Sequence, residues 1–299
     1  MKLRILSTLL LTLLVYITSY AQGSFDIISI DTNKSLFGKF SISSNSAKKI
    51  TDRDGYDNQP NFINEKQLVF SSKPDQGHHD IIMYNYQTQK FTNITKTENR
   101  SEFSPSLTDC GLYVSAITVE EDSLQRLWLY PINMGEPEVL YDDIYPVGYY
   151  DWYDNKAAMF VLGSPNKLIY PYSREEVDTL SNNVGRSIKK RPGTSEMAFI
   201  NKNNNIVVDG QPAFELISYD LKSREQNNIG LTLPQSEDFI WVDKNRILMA
   251  SGQRIYIKNV RKNTAWEELA NVTLPGYGNI SRMALSPKSK KLVVVMERK

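Results

Sequence analysis

The sequence predicts an all-β fold built by radial repetition, and three observations carry that expectation. Six short segments share one pattern, with first apolar positions at Ile27, Ile81, Leu127, Leu168, Leu216 and Ile255. Subtracting successive numbers gives intervals of 54, 46, 41, 48 and 39 residues, and a period of about 45 residues belongs to a radially repeated β-architecture rather than a helical solenoid. Each segment is a β-branched or aromatic run bounded by polar turn residues, too short for an independent helix. Finally, the two ends of the repeat region carry fragments that each fall short of a full unit.

The elements follow in order. Asp26-Ile27-Ile28-Ser29-Ile30 is restated by Asp80-Ile81-Ile82-Met83-Tyr84, and Arg126-Leu127-Trp128-Leu129-Tyr130 and Arg254-Ile255-Tyr256-Ile257 vary it. Ahead of such a segment stands another strand and a turn, as Leu68-Val69-Phe70-Ser71 leads through Lys73-Pro74-Asp75-Gln76-Gly77, where Pro, Asp and Gly favour chain reversal. Behind it comes a further strand such as Lys90-Phe91-Thr92-Asn93-Ile94-Thr95. A short strand opens each unit, at Asn61 to Ile63, Ser106 to Leu107, Asp151 to Trp152, Lys189 to Arg191, Phe239 to Trp241 and Met283 to Leu285. Each unit is therefore a four-stranded antiparallel meander. One meander alone has exposed edges and an incomplete core, so the units are expected to stack around an axis as a six-bladed β-propeller. Phe25 to Ile30 with Gly38 to Ile50 forms a hairpin lacking its first two strands, and Met283 to Leu285 with Leu292 to Met296 supplies only two. The expectation is that these N-terminal strands complete the C-terminal blade and close the ring; the alternative is an unrelated hairpin followed by five and a half blades.

Residues 1–21 read as a signal peptide: a basic start at Met1-Lys2-Leu3-Arg4, an apolar run from Ile5 to Ile17, and small residues at Ser19 and Ala21. The run is shorter than the roughly 20 residues of a spanning helix, so no membrane span is expected after cleavage, and no cysteine lies nearby for lipid attachment. Residues 22–299 then make one propeller domain, with no linker to divide it. The one cysteine, Cys110, forms no intramolecular disulfide, and stability must come from packing. Export without disulfides points to a periplasmic or secreted, monomeric protein. Asn33, Asn93, Asn99, Asn271 and Asn279 stand in glycosylation sequons that a eukaryotic secretory route would use, or are chance in an Asn-rich chain. Thirty-five basic and thirty-four acidic residues leave a net charge of +1, which supplies no global field for nucleic acid or anionic membrane. The basic cluster of Arg186 with Lys189-Lys190-Arg191 reads as a solvated loop rather than a phosphate site, and Lys288, Lys290 and Lys291 as a hairpin turn.

Ser104-Pro105 with Asp109 and Gly111, Leu112-Tyr113-Val114, Gln125-Arg126-Leu127-Trp128 and Leu285-Ser286-Pro287 resemble the WD-like repeats of TolB-type six-bladed propellers. Asp57-Asn58-Gln59-Pro60, Pro146-Val147-Gly148-Tyr149, Val184-Gly185-Arg186-Ser187 and Ser236-Glu237-Asp238-Phe239 are similar to segments of exported TolB-like proteins of unassigned role. The resemblance spans essentially the whole of residues 22–299. Two departures stand out. The Ser-Pro-Asp-Gly turn is degraded by Cys110, by Lys288-Ser289-Lys290 and in Val242-Asp243-Lys244-Asn245. The TolB protein carries an α/β domain before its propeller, whereas this chain is expected to enter a strand almost directly after its signal, which puts a role in the Tol envelope machinery in doubt.

Function is sought just before each opening strand, because equivalent positions should surround one mouth of the central channel. The candidate ligand-binding residues there are Asp57, Asn58, Glu102, Tyr149, Arg186, Glu237, Asp238 and Arg282. Arg186 and Arg282 suit bidentate pairing with a carboxylate, and Tyr149 and Tyr150 offer flat faces for stacking, including on a carbohydrate. The competing reading is structural, with acids and arginines such as Glu237 and Arg186 bridging neighbouring blades. Trp128, Trp152 and Trp241 fall in predicted strands as core residues. Catalytic signatures are sparse. His78 and His79 sit together in a turn expected to face solvent, with no serine elbow, Cys-His pair or Gly-rich phosphate loop. The expectation is a non-catalytic binding or scaffolding propeller, without cofactor, recognising an envelope protein, peptide or glycan. The alternative is a calcium-type metal-dependent lactonase-like hydrolase using oxygen ligands from Asp57, Asn58, Glu102, Glu237 and Asp238, against which stand the two arginines at the same mouth.

Overall fold

Short β-branched and aromatic runs punctuated by turns give strands throughout. The computed structural model describes residues 23–35, 38–73 and 77–299. The expected signal peptide at 1–21 lies outside the described residues, as do Pro74, Asp75 and Gln76 of the predicted turn. An antiparallel hairpin comes first, β1 (Phe25–Lys34) and β2 (Phe40–Lys49). A meander follows, of β3 (Tyr56–Asn64), β4 (Gln67–Lys73), β5 (Asp80–Asn85) and β6 (Lys90–Asn93). The next comprises β7 (Ser101–Leu107), β8 (Tyr113–Val119), β9 (Gln125–Pro131) and β10 (Glu138–Val139). Three more are β11 (Val147–Tyr153) to β14 (Val177–Asn182) by way of β12 (Lys156–Val161) and β13 (Lys167–Pro171), β15 (Val184–Lys190), β16 (Glu196–Val208), β17 (Gln211–Asp220) and β18 (Gln226–Leu231), and β19 (Phe239–Asp243), β20 (Arg246–Ser251), β21 (Arg254–Asn259) and β22 (Glu267–Asn271). The last two strands are β23 (Tyr277–Leu285) and β24 (Lys291–Arg298).

The architecture is an all-β propeller, and it corrects the expected blade count. Four meanders, from β7 to β22, form separate four-stranded blades. The remaining eight strands form one sheet in the order β23-β24-β1-β3-β4-β5-β6, with β2 on β1. There are thus four separate four-stranded blades rather than six. Nor do the N-terminal strands complete a separate C-terminal blade, because β1 lies inside the eight-stranded sheet. It runs antiparallel to β24 from Phe25 to Asp31 and touches β3 through a parallel bridge between Phe25 and Tyr56. The physical reason lies at the start of β1, where the Phe25 N–H donates to the Gly55 carbonyl at 3.0 Å and carries the backbone ladder on into β3.

The second strand of each meander is the most apolar. Leu68-Val69-Phe70 in β4, Ala157 to Phe160 in β12, Met197 to Ile200 in β16 and Ile247 to Met249 in β20 are buried in succession, covered on both faces. Such runs lose the alternation of a half-exposed strand. The cores lie between consecutive sheets: Phe160, Leu168 and Tyr170 pack against Ile188, Met197 and Phe199, and Ile200 and Leu216 against Phe239, Ile247 and Met249. Among the described residues no helix is long and apolar enough to cross a membrane.

One buried acid ties the eight-stranded sheet together. Asp26 is fully buried and its carboxylate accepts from Thr51 Oγ1 at 3.1 Å, the Arg53 N–H at 3.4 Å, Tyr277 Oη at 2.5 Å and Arg298 Nε at 2.6 Å. It therefore links β1, the segment leading to β3, β23 and β24. Removing one member of a buried, hydrogen-bonded ion pair leaves the other donors unpaired, at a cost of about 3–5 kcal/mol. Asp26→Ala should lower the free energy of urea unfolding by that order at unchanged m-value; a loss below about 1 kcal/mol would show that the network adds nothing to stability.

Candidate functional site

The first strands of the meanders, together with β23, line the channel. One cavity takes in Asn61, Ser106, Asp151, Lys189 and Met283, residues of β3, β7, β11, β15 and β23, and a second, continuous with it, adds Ile240 and Trp241 of β19. These strands touch in the cyclic order β3, β7, β11, β15, β19, β23 and back to β3. All but β19, which starts at Phe239 as expected, begin earlier than the sequence suggested, so most mouth residues lie within strands, while Glu237 and Asp238 precede theirs.

The mouth is where the ladders break. Register slips between Asn58 and Asn61, Phe103 and Ser106, Val147 and Tyr149, Val184 and Ile188, and Ile280 and Arg282. Bulges re-aim side chains and recur beside functional sites. Here the slipped residues Gln59, Pro60, Ser104, Pro105 and Arg186 line the cavity, an open volume of about 600 Å³. Gln59 and Ser104 adopt left-handed backbone, with φ of 55° and 52°, and each precedes a proline. Such conformations persist only when neighbours enforce them; the Ser104 N–H donates to Gln59 Oε1 at 2.7 Å and the Gln59 N–H to Asn58 Oδ1 at 2.7 Å.

The eight sequence candidates divide. Tyr149, Arg186, Asp238 and Arg282 line this cavity. Glu237 lines the adjoining recess, which also includes Arg186 and Asp238, and is paired with Lys202 at 2.5 Å. Asn58 is buried and capped onto the backbone. Asp57 is fully buried, receiving Arg53 Nη2 at 2.6 Å and Ser72 Oγ at 2.7 Å. Glu102 is also fully buried, accepting Thr97 Oγ1 at 2.8 Å and Tyr130 Oη at 3.2 Å on one oxygen while the other has no partner. The oxygen donors considered for a metal therefore do not converge. Among the described residues no group of three or more His, Cys, Asp or Glu side chains is placed to hold an ion.

Arg186 is the least satisfied group at the mouth. Its Nε is sealed from solvent without a partner, and among the described residues its guanidinium makes no hydrogen bond or ion pair. The Glu237–Arg186 bridge of the competing structural reading does not form, because Lys202 holds Glu237. Asp238 Oδ2 accepts the Met283 N–H at 3.0 Å. Burial, with the Arg282 charge second, lowers the Arg186 pKa from its ordinary value. Arg282 crosses from β23 to β11, where Nη2 lies 3.5 Å from Tyr149 Oη and the guanidinium 5.9 Å from the ring centroid.

Gln59, Ser104, Asp151 and Lys189 also line the cavity but were not among the eight candidates. The Gln59-Pro60 and Ser104-Pro105 pairs were the available signal for the first two, since proline inside a strand marks a bulge. Burial raises the pKa of Asp151 while its carboxylate accepts the N–H groups of Lys190 at 2.7 Å and Trp152 at 2.9 Å. Two other readings change. The basic run is no loop: Lys189 and Lys190 belong to β15, Lys190 pairs with Asp109 at 3.6 Å, and Arg191 pairs with Glu196 at 2.6 Å. His79 does not face solvent; it is buried against Tyr56 and Phe103, at centroid distances of 5.0 and 4.4 Å, and burial lowers its pKa to about 4. Cys110 is free and exposed.

No protein-family model matches the chain, and no curated protein sequence matches it. Among solved structures it is similar to a protein described as a TolB from Agrobacterium tumefaciens, at 10% identity and TM-score 0.68, over 93% of this chain and 100% of that one. The fold is that of TolB-like β-propellers. A TolB from Acinetobacter baumannii is also similar, at 10% identity and TM-score 0.55, over 91% of this chain and 63% of the other. So is an oligogalacturonate lyase from Vibrio parahaemolyticus, at 12% identity and TM-score 0.51, over 93% and 98% of the two chains. At such identities the likeness concerns architecture alone.

Glu102 gives this region a pH dependence. Burial, with the Asp80 charge adding to it, raises its pKa from 4.5 to about 7 against the opposing Thr97 hydrogen bond. The folded state thus holds a proton that the unfolded chain releases earlier, so stability is full below about pH 4.5, falls as pH rises to about 7, and then levels. Unfolding free energy should drop by about 2–3 kcal/mol across that window. Glu102→Gln should remove most of the drop in denaturation curves at pH 5 and 8; an equal decline in both proteins would assign it to other groups.

Proposed function

We propose that this chain is an exported, non-catalytic binding propeller whose recognition surface is the bulged mouth of the channel, and that its ligand is a protein, peptide or glycan of the cell envelope. The single observation that carries the reading is Arg186 beside Arg282 in one cavity, neither of them paired with an acid. An internal bridge would consume both charges; here the nearby acids are engaged elsewhere, Glu237 by Lys202 and Asp238 by the Met283 N–H. The flanking bulges add weight, because a strand that only had to pack would keep its ladder. Tyr149 contributes a ring at the rim, a residue type that provides large contact area at small entropic cost.

The test is capture from an envelope extract of the source organism with the wild-type protein and an Arg186→Gln/Arg282→Gln double variant of matched thermal stability. A partner retained by the wild type should be lost from the variant by tenfold or more, as expected when charge-assisted contacts are removed from a desolvated site. Equal retention by both proteins would move the recognition surface elsewhere.

A further inference from the structure

We propose that the cavity beneath the Arg282–Tyr149 contact is a site for one carboxylate group, held between the guanidinium groups of Arg186 and Arg282. The inference rests on the mouth being the recognition surface and adds the chemistry of what enters it.

Four observations lead there. The sealed, unpartnered Nε of Arg186 is a donor whose desolvation nothing in the described chain offsets, and such a group calls for an acceptor. Arg282 is committed only weakly: Nη1 donates to its own chain at Ser281 O, 3.1 Å away, and Nη2 reaches Tyr149 Oη at 3.5 Å, the limit of a hydrogen bond. A carboxylate outcompetes a neutral phenol for a guanidinium, because a charge-assisted pair is shorter and about twice as strong. The charge balance then selects the ligand's valence. Three cations, Arg186, Lys189 and Arg282, and two acids, Asp151 and Asp238, line the cavity, so one negative charge neutralises it and a doubly charged phosphate overshoots. Lastly, a carboxylate presents two coplanar oxygens to the planar fork of each arginine, a match that a lysine lacks.

Tyr149 takes a distinct part in this scheme. Its hydroxyl competes for Arg282 and its ring borders the seat, so Tyr149→Phe should leave carboxylate affinity unchanged or raise it. Loss of the arginines should do the opposite.

The experiment is calorimetric titration of the full chain with two matched pairs, N-acetyl-alanine against its amide and D-glucuronate against D-glucose. At least one acid should bind tenfold or more tightly than its neutral counterpart, and the pair that does so assigns the source to a polypeptide terminus or an acidic sugar. Arg186→Gln and Arg282→Gln should each weaken that acid about tenfold, the worth of a charge-assisted hydrogen bond, with Arg282→Lys intermediate and thermal unfolding reporting that each variant is folded. Equal binding of acid and neutral partner in both pairs, no binding of either acid at millimolar concentration, or undiminished affinity in a folded Arg186→Gln variant would each overturn the proposal. An envelope partner captured by the wild type and lost from the double variant, alongside failure of both acids, would sink the carboxylate while leaving the mouth as the recognition surface.

Discussion

The carboxylate of Asp26 carries the constraint on which the surrounding architecture depends. A fully buried charge is tolerable only when its lone pairs are filled, and Asp26 draws four donors from three segments of the chain: Thr51 and Arg53 ahead of β3, Tyr277 in β23 and Arg298 in β24. Satisfying them fixes β1 between β24 and the start of β3, over the antiparallel register from Phe25 to Asp31. That position merges what would otherwise be two sheets into one of eight strands. The merger is local, one backbone contact at Phe25 and Gly55, yet it decides whether this part of the ring is divided like the four separate blades or continuous.

The inner strands show a second trade. Packing would be served by unbroken ladders, and in their lower halves Ser106, Asp151 and Met283 keep regular partners on the second strands. At the mouth the ladders slip in five strands, and left-handed backbone at Gln59 and Ser104 is enforced by neighbouring amide hydrogen bonds. Ladder hydrogen bonds are given up in exchange for aiming polar groups at the channel, which is the usual sign that a strand terminus does more than pack. The same economy explains the fate of the acids. Asp57 and Glu102 sit close in sequence to the slipped residues, but the sheets absorb them; Arg53 and Ser72 donate to one oxygen of Asp57 and Thr97 and Tyr130 to one oxygen of Glu102, while the second oxygen of each is buried without a partner and burial raises both pKa values.

Structural likeness to TolB proteins and to an oligogalacturonate lyase at 10–12% identity describes a shared scaffold and nothing more, in keeping with the general separation of fold from function. In the channel of this chain two arginines share a cavity without a paired acid. The guanidinium groups of Arg186 and Arg282 attract an anion and repel a cation, whereas Glu237 and Asp238 beside them are engaged by Lys202 and by the Met283 N–H.

The chain's own sequence determined that the protein is all-β and radially repeated, because a strand's two-residue period and its turn residues act over a few neighbours and survive in the letters from Ile81 to Ile255. It also placed Arg186, Arg282, Tyr149 and Asp238 at one mouth, since equivalent positions of repeated units fall on one rim. Only the tertiary structure decided how the sheets divide, with one eight-stranded sheet beside four blades, because a single backbone contact between distant segments leaves no periodic trace. It alone decided that His79, Asp57 and Glu102 are interior and that Lys202 takes Glu237 away from Arg186. Side-chain burial and pairing depend on which residues arrive from other strands, and the register slips that turn Gln59, Ser104 and Arg186 into the channel are set by those arrivals.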